Sequence, residues 1–486
     1  MNDNKDKIKI LIITCQGLPQ PDQPTAGGSL RAFGLGEALK KRGHHVVYSV
    51  PQTCIDTSNA SRTEWMRYSH NGSNLNDRIS QIKPDIVIFG NWGLASQAQE
   101  CEMPVIVDIN GSLILENYFR SRGWPILEDS LAKIKTFSKV DLIIAGSYRQ
   151  KMYLSAWCLM AGMSPEKIAI EVVPFSLPPE MPEPNPPDEP EFVIAGYNWP
   201  WIDGQGAIET VSHELERLQR GHLHIYTMAP PYIDAIPNED SSRDSVGCLN
   251  AGHLPRVILH NAVSFDDLTA ILSQSSVALD TWDKNLEREL AFPTRTVVYL
   301  WSGLPVIVSP YSEISELIAR NKAGWRVDPN DHSRLCELVR SIVNNTADLY
   351  EFRTNARRLI SNHLTWDKTI EPIDQFCRKP FKNRQPPPQF TEWTNLQKKL
   401  LKSRKTNADL RGELKKSHQM NTNLQSENRL MGRVHRRPKG FAVLTSSSLF
   451  WLKLKRVVFG VPVLAYLFIL ISFGQFLYNL RTRWKR

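Results

Sequence analysis

Cysteine is scarce and scattered: seven residues in 486 (Cys15, Cys54, Cys101, Cys158, Cys248, Cys336, Cys377), with no Cys-x-x-Cys and no paired spacing. A small disulfide scaffold is excluded, and a reducing compartment is expected. No secretory signal is expected, since Ile8–Ile13 follows a charged leader and reads as a buried strand instead of a longer apolar segment ending in a cleavage site. No Gly-x-Ser-x-Gly turn, no Walker loop and no His/Cys/Asp group at metal-ligand spacing occurs. Gly34-x-Gly36 lies inside a helical stretch and not at a strand end, so it is no dinucleotide fingerprint.

Acidic residues are sparse at one end. From 391 to 486 there are 20 Lys/Arg and only 4 Asp/Glu, a balance of +16; the first 390 residues hold 39 basic and 46 acidic, a balance of −7. The net charge of +9 therefore does not describe a basic nucleic-acid-binding core. Formal charge is absent from 457 to 480. As a helix those 24 residues would be about 36 Å long, enough to cross a hydrocarbon core of about 30 Å. A single C-terminal span is expected, with the N-terminal body in the cytosol; a monotopic or re-entrant helix is the alternative.

What is present is alternation. Apolar runs at 8–14, 45–50, 85–89, 105–109, 141–145 and 170–174 are separated by helical stretches such as 29–42, 75–82 and 147–161. After a proline-rich stretch the pattern restarts, with strand-like runs at 192–195, 222–227, 257–259, 277–279 and 305–308. β-Branched runs separated by helices predict parallel sheets covered on both faces. The expected organisation is a Rossmann-like domain at 1–175, a linker at 176–190 and a second such domain at 191–378 with terminal helices. A helical segment at 391–431 and a membrane-associated region at 441–480 follow. In one heptad phase over 391–431, seven of twelve a/d positions are apolar and three of the other five are Asn. That reads as a weak coiled coil able to form a homodimer, or as a lone solvated helix.

Four stretches together resemble family 4 glycosyltransferases, which have the GT-B fold. They are Gly27-Gly28-Ser29-Leu30-Arg31 with Leu39 to Val46, Val140–Ile144 with Ser147–Lys151, Val172-Val173-Pro174-Phe175, and Glu287–Arg295 with Tyr299–Ile307. The likeness covers roughly 8–375 and none of the tail. It implies an α/β protein of two facing Rossmann-like domains that moves a sugar from a nucleotide-sugar donor, with retention of configuration and without a metal or other cofactor. Donors in this family sit mostly against the C-terminal domain and acceptors against the N-terminal one.

The site residues follow from that picture. The leaving diphosphate needs N–H groups and cations; Gly27, Gly28 and Arg31 can supply them from one side, and Arg295 or Lys284 from the other. Asp108 and Asn110 fall where the family places a polar residue near the reacting sugar, the alternative for Asn110 being helix capping. Tyr197, Asn198, Trp199 and Trp201 form the donor-side loop, the tryptophans covering a base or sugar or else packing between domains. The family's ribose-binding acid is replaced by Val298, so donor binding must use another group or be weaker; Glu287 and Glu289 lie nearby in sequence, and Glu316 falls near the expected site. His44 and His45 read as structural. The expected protein is a membrane-anchored glycosyltransferase on the cytoplasmic face, acting on a cell-envelope or lipid-linked glycan. Its degenerate alternative is a membrane-tethered scaffold.

Overall fold

The computed structural model describes residues 7–386 except 22, 56–67, 121–124, 229–250 and 345–348, together with 399, 402, 403, 406 and 409. It forms two units, Met1–Thr391 and Glu392–Arg486. The five described residues of the second unit are helical. The coiled-coil reading of 391–431 otherwise lies outside the described residues, as does the whole membrane region 441–480 with its span 457–480. No described helix is long and apolar enough to cross a membrane.

The first unit holds two six-stranded parallel sheets. Strands β1 (Lys9–Ile13), β2 (His45–Ser49), β3 (Ile86–Phe89), β4 (Val105–Ile109), β5 (Leu142–Ala145) and β6 (Ile170–Val172) lie in the order β2-β1-β3-β4-β5-β6. Between them run α1 (Gly27–Lys41), α2 (Leu75–Ile82), α3 (Trp92–Gln97), α4 (Leu113–Arg120), α5 (Ile126–Phe137) and α6 (Tyr148–Met160). Strand periodicity explains the two apolar layers: Ile10, Ile12, Ile86 and Ile88 enter one core, and Leu11, Ile13, Val87 and Phe89 the other.

The second sheet contains β7 (Glu191–Tyr197), β8 (His222–Met228), β9 (Val257–His260), β10 (Val277–Asp280), β11 (Val306–Val308) and β12 (Gly324–Arg326). Their order is β12-β11-β10-β7-β8-β9, the doubly wound arrangement of dinucleotide-binding folds. Its helices are α7 (Gln205–Leu218), α8 (Phe265–Ser273), α9 (Leu286–Leu290), α10 (Thr294–Trp301), α11 (Glu313–Arg320), α12 (His332–Asn344) and α13 (Leu349–His363). Both strand orders reverse once, between β1 and β3 and between β7 and β10. Ligands of such sheets bind at the carboxyl ends beside these reversals.

The chain crosses between domains twice, and the crossings are hydrogen-bonded to each other. Leu177 N donates to Leu364 O at 3.1 Å, and Trp366 N donates to Leu177 O at 3.0 Å. After α14 (Trp366–Thr369), helix α15 (Glu371–Arg378) returns to the first domain. Its face of Ile373, Phe376 and Cys377, with Ile370 before it, is buried beside Ile10 and Leu39. The expectation that the terminal helices through 378 belong to the second domain is corrected here: α15 completes the core of the first. His44 serves that join, as a structural residue: its Nε2 is 2.7 Å from Asp374 Oδ1. Beyond α15, Arg384 binds the buried Asp141 carboxylate at 2.9 Å and Gln385 N donates to Ser138 O at 2.9 Å.

Glycines 34 and 36, excluded above as a nucleotide motif, have a packing role. A side chain at Gly34 would overlap the Trp366 ring, and one at Gly36 the Tyr48 ring.

Candidate active site

A cleft of about 340 Å³ lies between the two sheets and is lined from both domains. The first domain contributes residues that follow its strands: Cys15 and Gln16 after β1, Asn91 and Trp92 after β3, and Asp108 to Gly111 at the end of β4. The second contributes Tyr197 at the end of β7, Trp199 and Trp201 after it, and Glu287, Arg288 and the run from Ala291 to Arg295.

Two helix starts open on this cleft without a side-chain cap. Helix α1 begins after Ala26 and α10 after Pro293, and neither residue accepts a bond from the first turn. Other starts differ among themselves: Asn91, Ser147, Ser264 and Asn285 each accept an amide at the start of α3, α6, α8 and α9, whereas α2, α5, α7 and α11 are uncapped like α1 and α10. Helices α1 and α10 are the uncapped starts whose first residues line the cleft. At α1 and α10 the unsatisfied amides, with their partial positive charge, meet the cleft and suit an anion. Gly27 makes the approach possible, because a Cβ there would overlap the Thr294 hydroxyl of the other domain. Arg295 stands beside these amides. Its guanidinium donates to Tyr197 O at 2.6 Å and lies 5.1 Å from the Trp282 ring centre, against Gly196, whose φ of +114° suits only glycine.

The structure brings some sequence-selected residues together and separates others. Gly27, Gly28, Arg31, Asp108, Asn110, Tyr197, Trp199, Glu287 and Arg295 all line the cleft. Arg31, however, is engaged: its Nε and Nη2 donate to the Asp108 carboxylate at 2.7 Å, and Nη2 also donates to Val173 O at 2.9 Å. Both partners are almost fully buried, so the pair acts in the first instance as a brace between α1 and β4. Asn110 keeps its Oδ1 buried without a partner, as does Gln16 its Oε1 and Trp92 its Nε1. Three orphaned polar atoms in one cleft are what a ligand's hydroxyls would satisfy.

Lys284 and Glu316 lie outside the lining. Lys284 is exposed and paired with Glu289 at 3.1 Å; Glu316 is paired with Arg149 at 3.1 Å. Asn198 also lies outside it, with Oδ1 buried and unpartnered. Trp199 stacks on Trp201 at 4.9 Å, and the Arg120 guanidinium of the first domain lies about as close to both rings, at 5.1 and 5.3 Å. The aromatic loop is thus part of the domain contact. Val298 is buried in the second domain's core and does not line the cleft.

The lining includes residues that sequence reasoning does not single out, among them Gln16, Trp92, Glu116 and Arg288. The rule that ligands gather beyond the carboxyl ends of strands would have flagged the first two. Glu116 and Arg288 sit on helices, and nothing local marks them. Glu116 pairs with Arg120 at 3.1 Å, and Arg288 with Glu287. Burial, aided by Glu287, pushes the Glu116 carboxyl up to about 7 against the pull of Arg120 and Arg288. Burial likewise drives the Cys15 thiol up to about 12, so it is no nucleophile at neutral pH.

No protein-family model matches the chain, and no curated protein matches it by sequence. Solved structures do match in fold. Sucrose-phosphate synthase from Thermosynechococcus elongatus aligns at 16% identity and a TM-score of 0.56, covering 77% of this chain and 99% of that one. HepE of Anabaena in complex with UDP-glucose aligns at 12% and 0.53, covering 76% and 98%. WaaG, a glycosyltransferase involved in lipopolysaccharide biosynthesis, aligns at 12% and 0.52, covering 75% and 99%. The architecture of the first unit is that of the GT-B glycosyltransferases.

Proposed function

We propose that this chain is a glycosyltransferase of the family 4 type, moving a sugar from a nucleotide-sugar donor to a cell-envelope or lipid-linked glycan. The observation that carries the reading is the pair of uncapped helix starts, α1 and α10, meeting at one cleft beside Arg295. The leaving diphosphate gains one negative charge as the glycosidic bond to it breaks, and fixed N–H dipoles with one guanidinium stabilise that charge without reorganising. Gly27 and Gly28 supply close backbone approach, Arg295 the cation, and Tyr197 with Trp199 a wall for the base or sugar. Asn110, Gln16 and Trp92 hold the sugar hydroxyls through their unpartnered polar atoms. Asp108 acts through Arg31, keeping the first turn of α1 in place.

Retention of configuration and independence from metal and other cofactors belong to the same proposal, carried by the family resemblance. So does the location: the uncharged stretch 457–480, flanked by Lys453, Lys455, Arg456, Arg481 and Arg483, would hold the enzyme at the cytoplasmic face of a membrane. Tethering raises the effective concentration of enzyme and lipid-borne acceptor.

The test is nucleotide release from a panel of UDP-, GDP- and other sugar donors, with acceptor membranes present. Release is expected for at least one donor and is expected to fall about 100-fold or more in Arg295→Ala, the scale of losing one charge-stabilising donor. Silence across the panel, or unchanged turnover in the variant, would overturn the reading.

A further inference from the structure

Three strands of the second sheet bring together histidines and glutamates that sequence spacing does not connect. Glu191 opens β7, His222 and His224 lie on β8, and His260 closes β9. The parallel register sets Glu191 opposite His222 and Tyr226 opposite His260. Side chains alternate across a strand, so His222, His224 and Tyr226 share one face, while Leu223 and Ile225 enter the core on the other. The Glu191 carboxylate sits between two imidazoles, with Oε1 3.4 Å from His222 Nδ1 and Oε2 2.9 Å from His224 Nε2. The second nitrogen of His224 is 2.9 Å from His260 Nε2, and the His260 ring stacks 4.1 Å from Tyr226. Glu189 reaches the same place: one donor atom each of Glu189, Glu191 and His222 all lie within 4.8 Å of one another.

The distances distinguish the two contacts of Glu191. A charge-assisted bond to a carboxylate runs about 2.7–2.9 Å. His224 meets that description; His222 at 3.4 Å does not. Two ligand atoms on a tetrahedral ion with bonds of 2.0–2.2 Å stand about 3.4 Å apart, the separation found between His222 and Glu191. The proton order fits as well. An ionised Glu191 takes a proton from His224 Nε2–H, which in a neutral imidazole leaves His224 Nδ1 to accept from His260 Nε2–H, and such an outer chain is what fixes a ligating carboxylate. One imidazole with two carboxylates is a mixed N/O set, suited to zinc-like ions and not to calcium or magnesium, which take oxygen alone.

We propose that Glu189, Glu191 and His222 bind one divalent transition ion of the zinc class, with His224 and His260 orienting Glu191. The ligands lie at the amino ends of β7 and β8, whereas the cleft lies at the carboxyl ends, so the ion takes no part in the chemistry there. Glu189 lies in the proline-rich segment two residues before β7 opens at Glu191; the ion therefore pins the interdomain linker to the sheet. Sequence spacing gave no sign of a metal site because the ligands come from separate strands.

The experiment uses the full chain without a polyhistidine tag, stripped with chelator and titrated with Zn²⁺ against a chromophoric competitor, and separately with Co²⁺. One zinc per chain is expected, with a rise in melting temperature and visible Co²⁺ absorption bands. His222→Ala and Glu189→Gln should each weaken zinc at least tenfold and abolish both signals, while His213→Ala, on an exposed position of α7, should change nothing. Glu189 is exposed, so its variant reports on the ion even if His222→Ala folds poorly. Absence of stoichiometric zinc, or equal affinity in Glu189→Gln and the unaltered chain, would overturn the proposal.

Discussion

The carboxylate of Glu313 and the backbone amide of Arg149 meet at 2.9 Å across the two domains. Glu313 opens α11 of the second domain, and it also accepts from Tyr148 N at 3.1 Å, closing the start of α6 in the first. The Arg149 side chain returns the contact, donating to Glu316 Oε1 at 3.1 Å, to Glu289 O at 3.3 Å and to Tyr311 O. A carboxylate at a helix start and a guanidinium on three oxygens make a polar latch.

Breaking that latch should let the domains part. Glu313→Ala and Arg149→Ala are expected to increase the radius of gyration seen by small-angle scattering, with secondary structure unchanged. High salt should move the unaltered chain the same way, since the latch is partly exposed and screened. Identical scattering curves would show that packing alone holds the domains.

Glu116 should make stability depend on pH. Its carboxyl is raised from 4.5 to about 7 in the fold, so as pH rises through that window the unfolded chain ionises first and stability is lost. Glu116→Gln removes the loss. Relative to the unaltered chain it should be near neutral at pH 4 and more stable by up to about 3 kcal/mol at pH 8, by urea unfolding. A difference that stays flat with pH would contradict the assignment.

The Arg31–Asp108 brace predicts an asymmetry between single and double variants. Asp108→Ala leaves a guanidinium buried and unpaired, a change that costs about 3–5 kcal/mol. Replacing both, Arg31→Met with Asp108→Leu, should cost distinctly less, because no charge is then stranded. Chemical denaturation of the three proteins measures it; equal losses would mean the two residues are not coupled.

Gly27→Ala should obstruct closure by driving a methyl into Thr294. Overpacking of this kind costs about 1–3 kcal/mol, or roughly tenfold or more in donor affinity. Adding Thr294→Ala makes room and should restore most of it. Donor binding in the single and double variants reads the effect directly; failure of the second change to rescue the first would place the clash elsewhere.

The sheets were legible because their strands are continuous β-branched runs: 85–89, 141–145 and 277–279 each coincide with a buried strand. The three-residue strand Gly324–Arg326 was not, having too little apolar pattern to register. Site residues at helix starts, such as Gly27 and Arg295, could be found from local chemistry and family likeness. What stayed hidden was pairing at long range. Sequence offers Arg31 as a cation for the diphosphate, and only the fold shows that a carboxylate 77 residues away holds it. Glu116 beside Glu287, and Glu191 beside His222 and His224, are relationships of the same kind, invisible until strands and domains are assembled.

The two crossings between domains bear on how the domains can move. Joined at Leu177 by bonds to Leu364 and Trp366, they form one narrow ribbon instead of two separate tethers. A body hung on a single ribbon cannot slide or splay freely; it retains in essence one rotational degree of freedom about that line. Parts of the cleft nearest the ribbon then hold an almost constant width as the domains turn, while those farthest from it sweep the widest arc, so access to the whole cleft can be governed by one angle.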